Sequence, residues 1–320
     1  MNILVVRNDK LGDFITALPT LYALKNYSPQ NRVIALVAPL NRAIVEYCDF
    51  IDDVIVDEND SALMLSKKIK SKNIDASITL FSNTKVALAQ FLVQIPIRIA
   101  PATKLAQFFY NRRIIQRRSQ VKMAEFEYNL ELSKALFADI SLDFPRPIFN
   151  FDDKNYREFC ADYEIEKPII AFHIGFGGSS DANWSLDEYV KLIDIARSYD
   201  NYQIVMTFGP DEEELMGRAR EAVGEEGVVY YMSTNGLVHF ASLLAHMRLF
   251  ISTSTGTYHL ASASGCETMT SFADTLFASA ARWKSIGDTK KQHHYMIPLD
   301  SDGRARVFDK FKTDLINLLG

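Results

Sequence analysis

Apolar positions in this chain fall into short β-rich runs separated by amphipathic stretches of helical period. In the first half, 2–6 (NILVV), 32–38 (RVIALVA), 52–57 (DDVIVD) and 75–81 (DASITLF) read as strands. Between them, 14–25 (FITALPTLYALK), 41–48 (NRAIVEYC) and 61–72 (SALMLSKKIKSK) read as helices. Strands alternating with helices of this size build right-handed βαβ units and a parallel sheet. Pro19 falls inside the first helical pattern and marks either a kink or the true start of the regular turns.

The Pro-punctuated, non-periodic stretch 145–153 (PRPIFNFDD) reads as a linker. Beyond it, strands at 168–175, 202–209, 228–232 and 249–253 alternate with helices at 186–199, 211–224, 237–247 and 257–265. The expectation is an α/β chain of two Rossmann-like domains, 1–148 and 149–305, facing a central cleft. An amphipathic helix closes the chain at 308–320, and Asp302-Gly303 reads as a turn between HHYMIPL and RARVF.

Length and composition fit this picture: 320 residues, 48% hydrophobic and 23% charged, are enough for two cores. A net charge of -5 argues against nucleic acid as a generic partner. No run approaches the ~18 apolar residues of a membrane span, and the N-terminus lacks a basic region before its first apolar run. Cys48, Cys160 and Cys266 are widely spaced and odd in number, as expected of reduced, buried thiols in a cytoplasmic protein.

Three stretches at the carboxyl ends of consecutive strands are candidate ligand sites, the edge where open α/β sheets bind. In 252–265 (STSTGTYHLASASG), small hydroxyl residues and Gly256 precede a helix, whose free N–H groups attract a diphosphate. His259 lies about one turn further on, in reach of the same anion; an ordinary capped helix with a packed histidine is the alternative. In 173–189, Gly175, Gly177 and Gly178 follow a strand, and Ser185 with Glu188 forms a capping box. In 208–216, Glu212 or Glu213 could accept a sugar hydroxyl or simply decorate a helix N-terminus.

The turn after the first strand, 7–19 (RNDKLGDFITALP), has one glycine and two aspartates where a phosphate cradle would have none. Asp13 there suits a general base that takes the proton of an attacking hydroxyl, or a helix N-cap. Asp9 suits a brace for Arg7 or a cap of the turn.

Together these stretches resemble the lipopolysaccharide heptosyltransferases, glycosyltransferase family 9. The N-terminal signature reads as Arg7, Asp9, Gly12, Asp13 and Pro19, and the C-terminal one as Ser254, Thr255, Gly256, His259, Leu260 and Ala261. Gly177, Gly178, Ser179, Asn183 and Trp184 are similar to a third family segment; Gly209, Pro210, Glu212 and Glu213 match another loosely, and Ala281, Arg282 and Trp283 echo a later one.

The resemblance implies a GT-B fold whose C-terminal domain holds an ADP-heptose-type donor. Ser254, Thr255, Gly256, His259, Gly177, Gly178, Ser179, Asn183, Glu212 and Glu213 are the donor-binding residues it implies. The N-terminal domain would bind the lipopolysaccharide inner core through Arg7, Asp9 and Gly12. The implied reaction is an inverting single displacement with Asp13 as base, no covalent enzyme intermediate and no obligatory metal. The last helix, 306–320, would pack back on the first domain. Two departures stand out: Ser254 replaces an Asp common in the family, and Ala182 replaces a Lys or Arg. They motivate the alternative of a degenerate relative that binds a nucleotide sugar or glycan without turnover.

Residues 98–124 carry a local charge of +7 with no acidic residue, and Phe108, Phe109 and Tyr110 lie among the cations. Arg112, Arg113, Arg117 and Arg118 suit an anionic glycolipid acceptor at the cytoplasmic membrane face, the alternative being a solvated basic helix or hairpin. RNA is disfavoured by the acidic remainder. His293 and His294 read as a surface pair rather than a metal site. A Rossmann oxidoreductase is excluded, because neither half has G-x-G-x-x-G with an acidic residue ~20 positions on.

Overall fold

The computed structural model describes residues 1–175 and 183–320. The chain divides into two compact units, Met1–Pro145 and Arg146–Gly320, parting within the Pro-punctuated stretch.

The first unit is built on a parallel sheet of β1 (Asn2–Val6), β2 (Arg32–Val37), β3 (Asp53–Val56), β4 (Ala76–Thr79), β5 (Ile97–Pro101) and β6 (Arg112–Ile114). Their order is β3-β2-β1-β4-β5-β6. β1 is central because Ile3 to Val6 are apolar on both faces, and its neighbours Arg32–Leu36 and Ala76–Thr79 pair with it in register. Leu4, Val6, Ile34, Leu36 and Ile55 form one core with Leu65, Ile69 and Val86 from the covering helices. The first helical pattern divides into Leu11–Ile15 and Leu18–Tyr27, with Pro19 in the opening turn of the second. Proline belongs there, where no helical acceptor yet awaits its missing N–H. β5 and β6 were not expected: the basic arm is neither helix nor hairpin but two parallel strands linked through a 3-10 turn, Leu105–Phe109.

The second unit repeats the plan with β7 (Ile169–His173), β8 (Gln203–Phe208), β9 (Val228–Met232), β10 (Leu249–Thr253), β11 (Thr268–Ala273) and β12 (Gln292–Ile297). Their order is β12-β11-β10-β7-β8-β9. The expected Asp-Gly turn is instead a helix start. Asp300 accepts the N–H of Gly303 at 2.6 Å and caps Ser301–Leu319, which absorbs RARVF. Phe308, Phe311, Leu315 and Leu319 along that helix pack with Trp184, Tyr189 and Tyr295 of the same unit.

Candidate functional site

The turn after β1 gathers charge around one buried guanidinium. Arg7 is 2% exposed, and each of its nitrogens serves a different carboxylate. Nε donates to Asp9 at 2.9 Å, one terminal nitrogen to Asp13, and the other to Glu125 at 3.2 Å. Burial alone would lower the Arg7 pKa, but the three carboxylates raise it well above its ordinary value. Burial pushes Asp9 up to about 6, opposed by Arg7 and reinforced by Asp13. Asp13 sits inside Leu11–Ile15, whose cap position is Lys10, so its carboxylate does not cap the helix. Asp9 is the brace for Arg7. Arg7 itself is a buried organiser of carboxylates, and Gly12 is buried within the helix Leu11–Ile15.

Next to this cluster, a cavity of about 520 Å³ is lined by Asn8, Asp9, Asp57, Phe81, Asn83 and Lys85. Asp57 receives Asn8 at 2.6 Å and Lys85 at 2.7 Å, and the half-exposed Phe81 ring lies 5.5 Å from the Arg7 guanidinium carbon.

In the C-terminal unit, Thr255 precedes the helix Gly256–Ala263, and Ser254, Thr255, Gly256 and Thr257 are half-buried. Thr255 and Thr257 share a hydrogen bond of 2.8 Å between hydroxyls, while the N–H of Ser254 donates to the Ser271 carbonyl at 2.9 Å. His259 is buried; burial lowers its pKa to about 3, with His294 adding to the effect. It is therefore a neutral imidazole, and its Nδ1 has no hydrogen-bond partner among the described residues. A neutral ring can offer one N–H to an anion but no charge.

A polar row runs in register across the sheet, buried at Thr207, His173, Ser252 and Thr270 and half-buried at His294. The hydroxyls of Ser252 and Thr270 have no partner among the described residues. His173 Nδ1 lies 2.9 Å from the Thr207 carbonyl and so carries the hydrogen, leaving Nε2 as an acceptor. Burial lowers the His173 pKa, with Glu212 opposing. Glu212 curls back to accept the Gly209 N–H at 2.7 Å and lies over Gly175, where a Cβ would come within 2.0 Å of its Oε1. Glu213 is exposed at the helix start.

Gly177, Gly178, Ser179 and Ala182 lie outside the described residues. Asn183 is committed within the fold: its Nδ2 donates to the Ile174 carbonyl at 3.0 Å and its Oδ1 accepts from Tyr189 at 2.8 Å. Trp184 is core, edge-on to Phe308 and Phe311.

The basic arm separates into inward and outward cations. Arg98 donates to the Phe109 carbonyl at 2.8 Å, and Arg118 donates to Glu125 at 2.5 Å and to Gln116 at 2.8 Å. Arg113, Arg117 and Lys122 are exposed, as are Arg112, which donates to the Ala135 carbonyl at 2.7 Å, and Lys104, which lies over the Phe81 ring; Leu105, Phe108 and Ile115 of the same arm are 77%, 70% and 80% exposed. The expected surface pair of histidines is not one. His294 meets the Tyr258 hydroxyl at 3.0 Å, half-buried, and His293 meets Glu267 at 2.9 Å. Glu125, His173 and Tyr258 were not singled out in the sequence. Each lies in an unremarkable helical or strand pattern, and only pairing across the fold reveals it. Among the described residues no three His, Cys, Asp or Glu side chains are placed to hold a metal ion, and no helix is long and apolar enough to cross a membrane.

The structure of E. coli ADP-heptose lps heptosyltransferase II superimposes with a TM-score of 0.80 at 17% identity, covering 99% of both chains. E. coli heptosyltransferase WaaC with ADP does so at 0.71 and 20% identity, covering 97% of this chain and 100% of that one. Two parallel six-stranded sheets of this kind define the GT-B fold. A family model for glycosyltransferase family 9 (heptosyltransferase) matches residues 62–295. A Haemophilus influenzae protein with a provisional glycosyltransferase name is 35% identical over 318 residues, 95% of this chain and 92% of that protein. Lipooligosaccharide heptosyltransferase 2 of Campylobacter jejuni is 23% identical over 284 residues, 86% of this chain and 82% of its own. The chain belongs to glycosyltransferase family 9, the heptosyltransferases.

Proposed function

We propose that this protein is an inverting transferase that moves a heptose or related sugar from an ADP-sugar to the inner core of a lipopolysaccharide or lipooligosaccharide. The observation that carries the reading is Asp13. It is a half-buried carboxylate at the carboxyl end of β1, turned away from helix capping and onto Arg7, in a family 9 chain. In the proposed reaction the acceptor hydroxyl attacks the anomeric carbon, its proton passes to Asp13, and the bond to the diphosphate breaks with its electron pair. The free N–H groups at the start of Gly256–Ala263 and the hydroxyls of Ser254 and Thr255 suit the charge that builds on the leaving diphosphate. His259 contributes at most one neutral N–H, and Glu212 suits a ribose or sugar hydroxyl. No metal is needed for these roles.

The acceptor side of the reading draws on the cavity at Asn8, Asp57 and Phe81 and on the outward cations Arg112, Arg113 and Arg117. Arg118 supports it from within, through Glu125. Exposed Leu105, Phe108 and Ile115 among those cations suit an anionic glycolipid at the cytoplasmic membrane surface.

The test is Asp13→Asn, assayed for transfer and titrated with ADP. Transfer should fall by about 10²–10⁴-fold, the usual worth of a general base, with ADP affinity unchanged. Parallel loss of ADP binding and turnover would mark Asp13 as structural. No binding of ADP by the native protein would favour a glycan- or nucleotide-sugar-binding relative without turnover.

A further inference from the structure

The Arg7 cluster contains more than a base and its brace. Glu125 opens the helix Glu125–Ser133 and is 2% exposed. One of its oxygens, Oε1, accepts from both Arg7, at 3.2 Å, and Arg118, at 2.5 Å. Three carboxylates, those of Asp9, Asp13 and Glu125, thus face the guanidiniums of Arg7 and Arg118. Among the described residues, Lys10 in the same turn and Lys104, whose Nζ lies 5.1 Å from the Phe81 ring that also meets Arg7, bring further charge. A second, neutral path runs from Arg118 to Asn129 at 3.3 Å, from Asn129 to the Thr16 hydroxyl at 3.1 Å, and from that hydroxyl to the Asp13 carbonyl at 2.6 Å.

We propose that Glu125, backed by Arg118, is a positioning residue that sets the basicity of Asp13; the proposal rests on the reading of Asp13 as the base. A carboxylate bound to an arginine of its own is a poor proton acceptor, because the cation favours its charged form. Glu125 shares the Arg7 guanidinium and so weakens that effect at Asp13. Arg118 in turn neutralises part of Glu125 and limits how far the compensation goes.

The two substitutions act in opposite directions. Glu125→Gln removes the negative charge that competes for Arg7, so the acidic limb of the kcat–pH profile should move down by about one pH unit. kcat on the plateau should fall several-fold. Arg118→Gln frees Glu125 to oppose Arg7 and should move the limb up. Because Asp9 and Asp13 share Arg7, the limb reports on the pair rather than on either residue alone.

The experiment is the kcat–pH profile of the full chain at saturating ADP-sugar and acceptor for the native protein, both variants and Asp13→Asn, with ADP affinity measured alongside. Opposite shifts with unchanged ADP affinity are expected, a pattern that a merely structural role would not give. Coincident limbs, or shifts of the same sign, would overturn the proposal. If Glu125→Gln does not fold, Arg118→Gln, at a side chain 14% exposed, decides by the sign of its shift. Activity retained by Asp13→Asn would sink the base assignment itself, an outcome separate from unmoved limbs in the two charge variants.

Discussion

Gly175→Ala separates what Glu212 does for the fold from what it does for a ligand. An added Cβ would lie 2.0 Å from Glu212 Oε1, 2.5 Å from its Cδ and 2.6 Å from Oε2. All three atoms belong to the far end of a flexible side chain, so the glutamate swings away while the backbone stays. The fold then loses the charge-assisted hydrogen bond from Gly209 N–H to Oε2, 2.7 Å in the native protein. Water can replace that partner at a half-buried site, so the net cost is on the order of 1 kcal/mol. Replacing glycine stiffens the unfolded chain and returns about 0.4–1 kcal/mol. The two effects nearly cancel, and thermal unfolding should move by no more than roughly 3 °C. A hydrogen bond from a donor hydroxyl to this carboxylate would be lost with the displaced side chain, which at about 1.5–3 kcal/mol is a 10- to 150-fold weaker Kd for the ADP-sugar. The assay is calorimetric titration beside a melting curve, with Glu212→Ala as reference. A Tm drop above roughly 8 °C would show that the backbone had to move. Native ADP-sugar affinity in Gly175→Ala, with weak binding in Glu212→Ala, would refute the idea that the glutamate must lie over Gly175 to work.

Gly287→Ala should behave differently, because its Cβ would lie 2.2 Å from the Ser262 carbonyl oxygen and 2.4 Å from Oγ. Backbone must yield there, so about 3 kcal/mol of stability should be lost, and a native-like melting temperature would contradict the packing argument. Acid should destabilise the C-terminal unit. His259 and His294 are held neutral, with pKa values lowered to about 3 and about 4, whereas an unfolded chain takes up their protons below about 6.5. Their stabilising contribution is thus present above that pH and lost as pH falls towards 4, at up to about 1.4 kcal/mol per pH unit for each. Asp9, in the other unit and raised to about 6, has the opposite sign between about 4 and 6. Urea denaturation from pH 7 to 5 should show the loss, and His259→Gln should flatten it; equal slopes in both proteins would remove histidine as the cause.

Local pattern alone located most strands of both sheets, because apolar β-rich runs such as Asn2–Val6, Val228–Met232 and Leu249–Thr253 cannot satisfy their side chains except by burial on two faces. It missed β5, β6, β11 and β12. β5 and β6 lie in a cationic arm whose charge dominates a reading by composition, and Gln292–Ile297 has two histidines in a run that only its parallel partner makes a strand. The motif residues Asp13, Thr255, Gly256 and His259 were legible one by one, since their types and spacing carry the chemistry. Their states were not. That Asp13 binds Arg7 instead of capping a helix, that His259 is neutral, and that Asn183 is tied to Ile174 and Tyr189 follow from neighbours brought in by folding. Sequence therefore determined the two α/β halves, the family and the candidate chemistry, because these reside in residue type and local period. Tertiary structure decided which charges meet, as Glu125 meets Arg7 across 118 positions, because burial and electrostatics depend on distance in space and not along the chain.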